Sequence, residues 1–434
     1  MINKIDMGTT SFEDLHQVFK ISAEELEAHK ARLFPIGNTS DETSTTSIFL
    51  SSLSAVKEYR EELLLGLDVG KIKNRNVQLH AYTEVPSAND ADRPDGLLVI
   101  TSGKRNPIIE WACFVEVKVG NNDIFEEQIE RYTDFARDIG INNIITISNQ
   151  LVTTPFDSPV STNKRSFNLY HWSWQFLKVT ASHLVRTDRV EDEDHVYILT
   201  ELRRYFDSHR NVKNFVNMGK DWSTAIMSIH EHSVSQKVAN EPLSIICDAY
   251  IQEEKDVALQ LTDKSDYYIQ LVSKGDREED IIEQVQSSKV ITSTYMIEND
   301  RKNTFSIEVD LIRHTIRCST QLAISKGKAQ AQTTAMLKMF EAESGYTDSI
   351  YIDAVYPRNR QVSGDVSIAD LLNQKRDGEP YSILNKDFGE EIKVFTVRTK
   401  DMLGKDFKAA KNFITKLEDI AYRFLTQVSS NIKR

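Results

Sequence analysis

The amino-acid sequence predicts an α/β domain with a mixed sheet flanked by helices, followed by a second domain of the α+β class. Residues Ala112 to Asn149 have the pattern of strand, helix and strand, the unit that places two strands in parallel. The 434 residues, 40% of them hydrophobic, are too many for one ordinary core. We therefore expect domains at residues 1–235 and 243–434, joined by the polar stretch SVSQKVANEP, Ser233 to Pro242.

The elements before the strand-helix-strand unit are predicted from their hydrophobic periodicity. Thr43 to Leu64 has apolar residues at helical spacing, which predicts one helix. Asn76 to Val85 alternates apolar and polar residues, as a half-buried strand does. GLLVITSG, from Gly96, and IIEWACFVEVKVG, from Ile108, predict two further strands joined by a turn.

The helix after the long strand has an amphipathic pattern with clear boundaries. Its apolar stripe advances in steps of four and three residues, and Gly140 is expected to end it. Asn122 or Asp123 is the expected N-cap. INNIITISN follows as an apolar, β-branched strand, parallel to FVEVKVG. The stripe consists of Phe125, Ile129, Tyr132, Ala136 and Ile139.

The second domain is predicted to combine strands and helices. A helix is expected from about Lys328 to Glu343, and an amphipathic helix, DFKAAKNFITKLEDIAYRFLTQV, near the end of the chain. SIYIDAVYP is expected to form a strand between them. The other predicted strands are Ser244 to Ala249, Val257 to Leu261, Tyr267 to Ser273, Thr304 to Asp310 and Gln321 to Ile324.

The composition restricts the class of protein. A net charge of −12 argues against a protein that coats DNA or an anionic membrane through a global positive field, but it leaves room for a local basic groove. Cys113, Cys247 and Cys318 are far apart and form no C-x-x-C pair, which is typical of a reducing cytosol. No apolar run approaches the length of a membrane span, and the first residues lack the apolar core of a signal peptide. We expect a cytoplasmic protein.

One strand, FVEVKVG (Phe114 to Gly120), carries an acid and an ammonium group on the same side. Alternation puts its valines on one face and Glu116 and Lys118 on the other. One interpretation is an amphipathic strand with a wet face. The other follows from Asp95, which directly precedes the strand GLLVI and can meet Glu116 across a hairpin-like pair. Two close carboxylates repel each other, and a divalent cation between them relieves the repulsion.

The cation expected at this pair of carboxylates is Mg²⁺ or Mn²⁺, since hard cations take oxygen ligands. The expected ligands are the carboxylates of Asp95 and Glu116, the backbone carbonyl of Val117, and water. Lys118 is expected to reach a metal-bound water and the phosphate that this water attacks. There its charge would stabilise the transition state.

The same residues resemble the motif of the PD-(D/E)XK nuclease superfamily. The motif is formed by Pro94 and Asp95, a gap of 20 residues, and Glu116-x-Lys118. Gln128 and Tyr132 on the next helix are similar to the Gln-x-x-x-Tyr motif of the exonuclease-like branch. Most of the chain also resembles an uncharacterised family of two-domain bacterial proteins. The resemblance implies a restriction-endonuclease-like mixed sheet and a metal-dependent nuclease acting on nucleic acid, with DNA favoured over RNA.

The resemblance further implies an acid on the first core helix and supporting roles for Gln128 and Tyr132 at the metal or a substrate phosphate. Glu42 is preferred for the acid, because SDETSTTSIFLSSL resembles the segment around it in the bacterial family. Two non-catalytic explanations stay open: Glu42 simply occupies a favourable position at the positive end of the helix dipole, and Tyr132 packs in the core. The candidates for the acid are Glu42, Glu58, Glu61 and Glu62.

Two other functions remain open from the sequence. One is a catalytically inactive module that binds nucleic acid or a protein, which the acidic balance and the lack of an obvious basic, aromatic surface favour. The other makes the second domain the functional part, an interaction or dimerisation module with the first domain as its scaffold. The sequence predicts no membrane partner, allows a homodimer, and is compatible with a bacterial role in defence against foreign DNA or in DNA repair.

Overall fold

Two units make up the chain, Met1–Asn214 and Phe215–Arg434. A computed structural model describes residues 4–31, 41–86, 92–160, 167–212, 214–230, 236–272, 275–340 and 347–429. The predicted boundary, at residues 235 to 243, lies after helix Trp222–His230, which belongs to the core of the second unit. Its Trp222 Nε1 donates a hydrogen bond of 3.0 Å to the carbonyl of Phe407. Residues 233–235 of the predicted linker lie outside the described residues.

The first unit contains seven helices and five strands within the described residues. Its helices are α1 (Leu15–Phe19), α2 (Ala23–Ala28), α3 (Glu42–Ala55), α4 (Lys57–Leu65), α5 (Glu126–Ile139), α6 (Trp174–Arg186) and α7 (Glu193–Ser208). Its strands are β1 (Val77–Thr83), β2 (Gly96–Ser102), β3 (Ile108–Val117), β4 (Asn143–Ser148) and β5 (Asn168–Ser173).

The strands of the first unit form one mixed sheet in the order β1-β2-β3-β4-β5. β1, β2 and β3 are antiparallel neighbours, whereas β3, β4 and β5 run parallel. Phe114 of β3 pairs with Ile144 of β4, and α5 lies between these two strands in the chain. The predicted strand-helix-strand unit and the mixed sheet are therefore confirmed.

Helices cover both faces of this sheet. Val115 and Val117 pack in one core with side chains of α3, α4, α6 and α7. Phe114 faces the other way and packs in a second core with α1 and with Ala136 of α5. Because successive side chains of a strand alternate, Glu116 shares the side of Phe114. It is fully buried there, so the interpretation as a wet strand face is wrong.

The predicted helix over Thr43 to Leu64 is interrupted. Val56 adopts extended backbone angles, φ −94° and ψ 109°, so that α3 ends before it and α4 begins after it. Each helix has its own set of buried residues on either side of the break. Periodicity did not reveal this break, because the apolar spacing continues through it.

The start of α5 also differs from the prediction. The helix begins at Glu126, and its N-cap residue is Phe125 and not Asn122 or Asp123. The preceding segment is held as a loop, since Gly120 N donates to the carbonyl of Asn211 at 2.8 Å. The predicted end is correct: Gly140 is left-handed with φ 86°.

The second unit contains an antiparallel sheet and helices, as expected for an α+β domain. The helices are α8 (Trp222–His230), α9 (Asn240–Lys264), α10 (Arg277–Ser287), α11 (Ala329–Leu337), α12 (Ile368–Asp377) and α13 (Ala410–Phe424). The strands are β6 (Ile269–Val272), β7 (Val290–Ile297), β8 (Asp300–Asp310), β9 (Thr315–Leu322), β10 (Tyr351–Val355), β11 (Gln361–Val362), β12 (Val394–Arg398) and β13 (Asp401–Met402). Among the described residues the sheet has these eight strands: seven follow the order β11-β10-β12-β9-β8-β7-β6, and β13 also pairs with β9.

Two predicted strands of the second unit are wrong. Ser244 to Ala249 and Val257 to Leu261 both lie within the single helix α9. Its buried apolar residues include Leu243, Ile246 and Tyr250, which are three and four residues apart, a helical spacing. Short β-branched runs fit either structure, and here the longer helical period decides. The strands predicted near β6, β8 and β10 are present, as is helix α13. The strand predicted at Gln321 to Ile324 shares only its first two residues with β9. Helix α11 ends at Leu337, before the predicted end near Glu343.

None of the helices in the described part of the chain combines the length and the apolar character needed to cross a bilayer.

Candidate functional site

The sheet brings Asp95 and Glu116 to the same end of two neighbouring strands. Asp95 directly precedes β2, and the β2–β3 register pairs Gly96 with Val115. The backbone N–H of Val117 donates to Asp95 Oδ2 at 2.7 Å. This bond fixes one carboxylate oxygen of Asp95 beside the end of β3.

Glu116 is a buried acid with one oxygen satisfied. Its Oε1 accepts a hydrogen bond from Lys118 Nζ. Its Oε2 is buried and accepts no hydrogen bond within the described part of the structure while Asp95 is ionised. A protonated Asp95 can donate a hydrogen bond to Glu116, which lowers the pKa of Glu116. Burial raises the pKa of Glu116, and the adjacent Lys118 opposes that rise. A carboxylate oxygen left without a donor in the interior is costly, and a bound cation is one way to satisfy it.

Asp95 and Glu116 influence each other electrostatically. Burial raises the pKa of Asp95 well above its usual range, and the charge of Glu116 raises it further. The hydrogen bond from Val117 and the charge of Lys118 act in the opposite direction. The pair is therefore a site where added positive charge is favourable.

Lys118 lies between three acceptors at this edge. Its Nζ is 3.0 Å from the carbonyl oxygen of Val117 and 3.4 Å from Glu42 Oε1, and it also donates to Glu116. Burial lowers the pKa of Lys118, but the negative charges of Glu116, Asp95 and Glu42 outweigh burial, so that its pKa is raised. The side chain is only 11% exposed, so the protonated ammonium group is nearly buried.

Glu42 joins the site from the first turn of α3. Asp41 caps this helix by accepting the backbone N–H of Ser44 at 2.7 Å. Glu42 Oε2 accepts the backbone N–H of Val119 at 3.3 Å, so that α3 is linked to the end of β3. The other candidate acids have separate partners: Glu58 pairs with His195, Glu61 with Lys57, and Glu62 with Arg189.

The close approach of α3 to the sheet requires the glycine that follows Asp95. A Cβ atom at Gly96 would lie 2.7 Å from Leu50 Cδ1 of α3 and 3.1 Å from Val115 Cβ of β3. The contact with the β-branched Val115 is close to the backbone and cannot move away easily. Gly96 therefore leaves room for Leu50 and Val115 to pack against the residue that follows Asp95.

Gln128 and Tyr132 reach the same region from α5. Gln128 Nε2 donates to the Tyr132 hydroxyl at 3.2 Å, and this hydroxyl donates to the carbonyl of Arg93 at 3.2 Å. Burial raises the pKa of Tyr132, and the charge of Glu116 adds to the rise. The Tyr132 ring also packs in the core, as the alternative interpretation expected. Its role at a metal or a phosphate stays a prediction.

Backbone contacts that the motifs did not indicate hold the end of β3. Trp174 Nε1 donates to the carbonyl of Lys118 at 2.9 Å. Asn149 Nδ2 donates to the carbonyls of Gly120 and Asn211, both at 2.8 Å. The available signal was position: Trp174 and Asn149 follow the parallel strands β5 and β4, whose carboxyl ends meet the same sheet edge as β3.

Oxygen atoms of the kind that hard divalent cations take lie at this sheet edge. Asp95 and Glu116 supply carboxylates, and Glu116 contributes the buried oxygen that lacks a donor. The Val117 carbonyl, the third expected ligand, accepts Lys118 Nζ. Within the described ranges, no group of three or more His, Cys, Asp or Glu side chains is arranged to hold a metal ion. Comparison of the chain with family models, curated proteins and solved structures gives no match.

Proposed function

We propose that the chain is a metal-dependent nuclease of the PD-(D/E)XK type, with a restriction-endonuclease-like fold in its first unit. The observation that supports this most is the convergence of Asp95, Glu116 and Lys118 at one sheet edge. Among the described residues, a buried Glu116 oxygen accepts no hydrogen bond there while Asp95 is ionised. The reaction would add water across a phosphodiester bond of nucleic acid, with DNA favoured over RNA.

Asp95, Glu116 and the Val117 carbonyl would hold Mg²⁺ or Mn²⁺. When bound, the cation supplies positive charge and a more acidic water at the phosphate. The carboxylates fix this position, because Asp95 is anchored by the Val117 N–H and Glu116 is held inside the sheet. A position fixed in advance lowers the cost of organising the reacting groups.

Lys118 would act on the substrate directly. Its ammonium is kept protonated by the surrounding acids, and its three N–H donors contact Glu116, the Val117 carbonyl and Glu42. One of these bonds would be exchanged for a bond to a phosphate oxygen. Charge develops on the phosphate oxygens during attack, and a nearly buried ammonium stabilises it more than an exposed one would. Glu42 shares the Lys118 ammonium and would orient it, and Gln128 and Tyr132 would support the segment that carries Asp95.

The alternative is a module that binds nucleic acid or a protein without cleaving anything. The specific observation in its favour is that Lys118 already neutralises Glu116 by direct contact. A chain of this kind in the bacterial cytoplasm would serve defence or repair through recognition alone. The two proposals differ in one measurable property, turnover.

Cleavage of labelled single- and double-stranded DNA and RNA, with Mg²⁺ or Mn²⁺, tests the proposal. Wild type is compared with Asp95→Ala, Lys118→Ala and the control Asp138→Ala, an exposed acid of α5, at a temperature where circular dichroism shows all four proteins folded. We expect metal-dependent cleavage that falls about a hundredfold or more in the first two variants and is unchanged in the control. If wild type cleaves none of the four substrates, or if all variants cleave equally, the nuclease is rejected and the binding module is favoured.

A further inference from the structure

A cluster of positive charge lies on two adjacent turns of the first unit, in a chain with a net charge of −12. We call it the basic turn cluster. Two of its residues lie on the 3-10 helix Gly70–Lys73 and one shortly after it. The other two lie in the turn between β2 and β3. Its members are Lys71, Lys73, Arg75, Lys104 and Arg105.

The sheet places these two turns side by side. Val77 at the start of β1 pairs with Ser102 at the end of β2. Gly103 N donates to the carbonyl of Asn76 at 3.2 Å. The chain before β1 and the chain after β2 therefore form one surface at this end of the sheet.

Most of this charge has no counter-ion among the residues that the structure describes. Lys71 Nζ pairs with Glu110 at 3.0 Å. The side chains of Lys73, Arg75, Lys104 and Arg105 belong to exposed residues, and none of the four has an ion pair or hydrogen bond within the described part of the chain. Over residues 68–76 and 103–110, five basic residues face two acidic ones, Asp68 and Glu110. The cluster thus has a local excess of positive charge.

The cluster lies at the opposite end of β2 from Asp95. β2 spans 7 residues from Gly96 to Ser102. At about 3.3 Å per residue its six steps cover about 20 Å. Successive phosphates of one strand rise by about 3.4 Å, so the same distance corresponds to about six nucleotide steps.

We propose that the basic turn cluster binds the phosphate backbone of a nucleic acid whose cleaved bond lies at Asp95 and Glu116. Unpaired Lys and Arg side chains on adjacent turns release counter-ions when they contact phosphates. The class of ligand rests on the proposed function, but binding is tested without cleavage. The cluster supplies the local basic surface that the overall composition hides.

A nucleic acid fits this surface better than an anionic membrane does. Among the described residues, the exposed large hydrophobic side chains all lie outside 68–76 and 103–110. A membrane-binding surface normally inserts such side chains between lipid head groups. The cluster is instead flanked by Asn74, Asn76 and Asn106, which can donate hydrogen bonds to phosphate or sugar oxygens.

Binding of a fluorescent 20-base-pair DNA duplex in EDTA, measured by anisotropy at several salt concentrations, tests the proposal. The variant is Lys104→Ala/Arg105→Ala, and the control is Lys411→Ala/Lys416→Ala, two exposed lysines of α13 that remove the same charge. We expect the affinity of the cluster variant to fall about tenfold at 0.1 M salt, and its salt slope to fall by about 1.8, or 0.9 per lost contact. Wild-type affinity and slope in the cluster variant, or equal losses in the control, would overturn the proposal.

Two further measurements distinguish this proposal from a defect in the cleavage site and from binding to a membrane. A trinucleotide is too short to reach both places, so its cleavage should be equal in wild type and the cluster variant; an equal loss on short and long DNA would overturn the proposal. Weaker binding to phosphatidylserine vesicles with unchanged DNA binding would overturn it in favour of a membrane. If wild type cleaves nothing and the cluster variant binds DNA more weakly than wild type, the basic turn cluster is upheld as a binding surface and the nuclease is rejected.

Discussion

At the scale of single residues, the pairing of Glu116 with Lys118 explains why a valine-rich strand carries two opposite charges. Glu116 is fully buried and Lys118 nearly so, and the two are in direct contact. A buried charge is tolerated only with a partner, so the two residues depend on each other. The same pair places an acid and an ammonium beside the point where Asp95 is bonded to β3.

Lys118→Met should destabilise the fold strongly. The change leaves Glu116 buried without its counter-charge, which costs about 3 kcal/mol in the free energy of unfolding. Lys118→Met/Glu116→Gln, which removes both charges at similar volume, should recover most of that loss. Urea unfolding of the two variants and wild type checks this. If the double variant were no more stable than the single one, the pairing would not explain the stability.

His80 should make the first unit sensitive to mild acid. Burial lowers the pKa of His80 to about 4, and the charge of Lys30 contributes. The unfolded value is about 6.5, so the unfolded state binds the proton more tightly. Stability from this group is therefore present above pH 6.5 and lost as the pH falls towards 4. We expect a loss of about 2 kcal/mol after allowing for partial solvent exposure.

Unfolding of wild type and His80→Gln as a function of pH measures this effect. His80 Nε2 lies 3.0 Å from Thr101 Oγ1, a contact that glutamine can replace. The stability difference between the two proteins should be constant above about pH 6.5 and shift in favour of the variant below it. Parallel curves from neutral pH down to about pH 4 would show that His80 does not titrate as described.

At the scale of elements, the cap of α3 sets the position of Glu42. Asp41 accepts the Ser44 N–H, and Glu42 is the first helical residue. Asp41→Ala should cost about 1 kcal/mol of stability, whereas Asp41→Ser, which keeps a capping oxygen, should cost much less. Nuclease activity should fall further in the alanine variant, because Glu42 contacts Lys118 and Val119. Thermal unfolding and cleavage rates are the readouts, and equal behaviour of both variants would contradict this role of the cap.

Local signals in the sequence indicated the core of the first unit well. The valine alternation of β3, the stripe of α5 and the glycine after it were sufficient to predict the parallel connection to β4. The break at Val56 and the helix α9 were not predictable in this way, since both depend on packing that continues an ambiguous apolar pattern. Likewise, Trp174 and Asn149 contact the end of β3 and the loop after it only because parallel strands end at one edge.

At the scale of the whole molecule, the chain consists of two units with separate cores. The boundary lies after Asn214, because α8 places Trp222, Ile226 and Ile229 in the core of the second unit. Charge is also unevenly distributed, since an acidic chain presents a local basic surface on two turns. Average composition therefore described neither the boundary nor the surface.

A fragment of residues 1–214 should be more soluble and unfold more cooperatively than a fragment of residues 1–235. The longer fragment carries α8 without the core that buries it, and so exposes Trp222 and its apolar neighbours. We expect cooperative unfolding by circular dichroism for the shorter fragment and concentration-dependent light scattering for the longer one. Equal solubility and stability of the two fragments would contradict the assignment of α8 to the second unit.

Metal-dependent cleavage at Asp95 is best measured as the rate at which a labelled DNA strand is cut while Mn²⁺ is titrated, for wild type and Asp95→Asn. The asparagine keeps the shape of the side chain and removes the charge that would hold the cation. We expect cleavage that rises and saturates with Mn²⁺ in wild type, and a rate lower by about a hundredfold or more in the variant. Cleavage independent of Mn²⁺, or equal rates in both proteins, would contradict the proposed metal site.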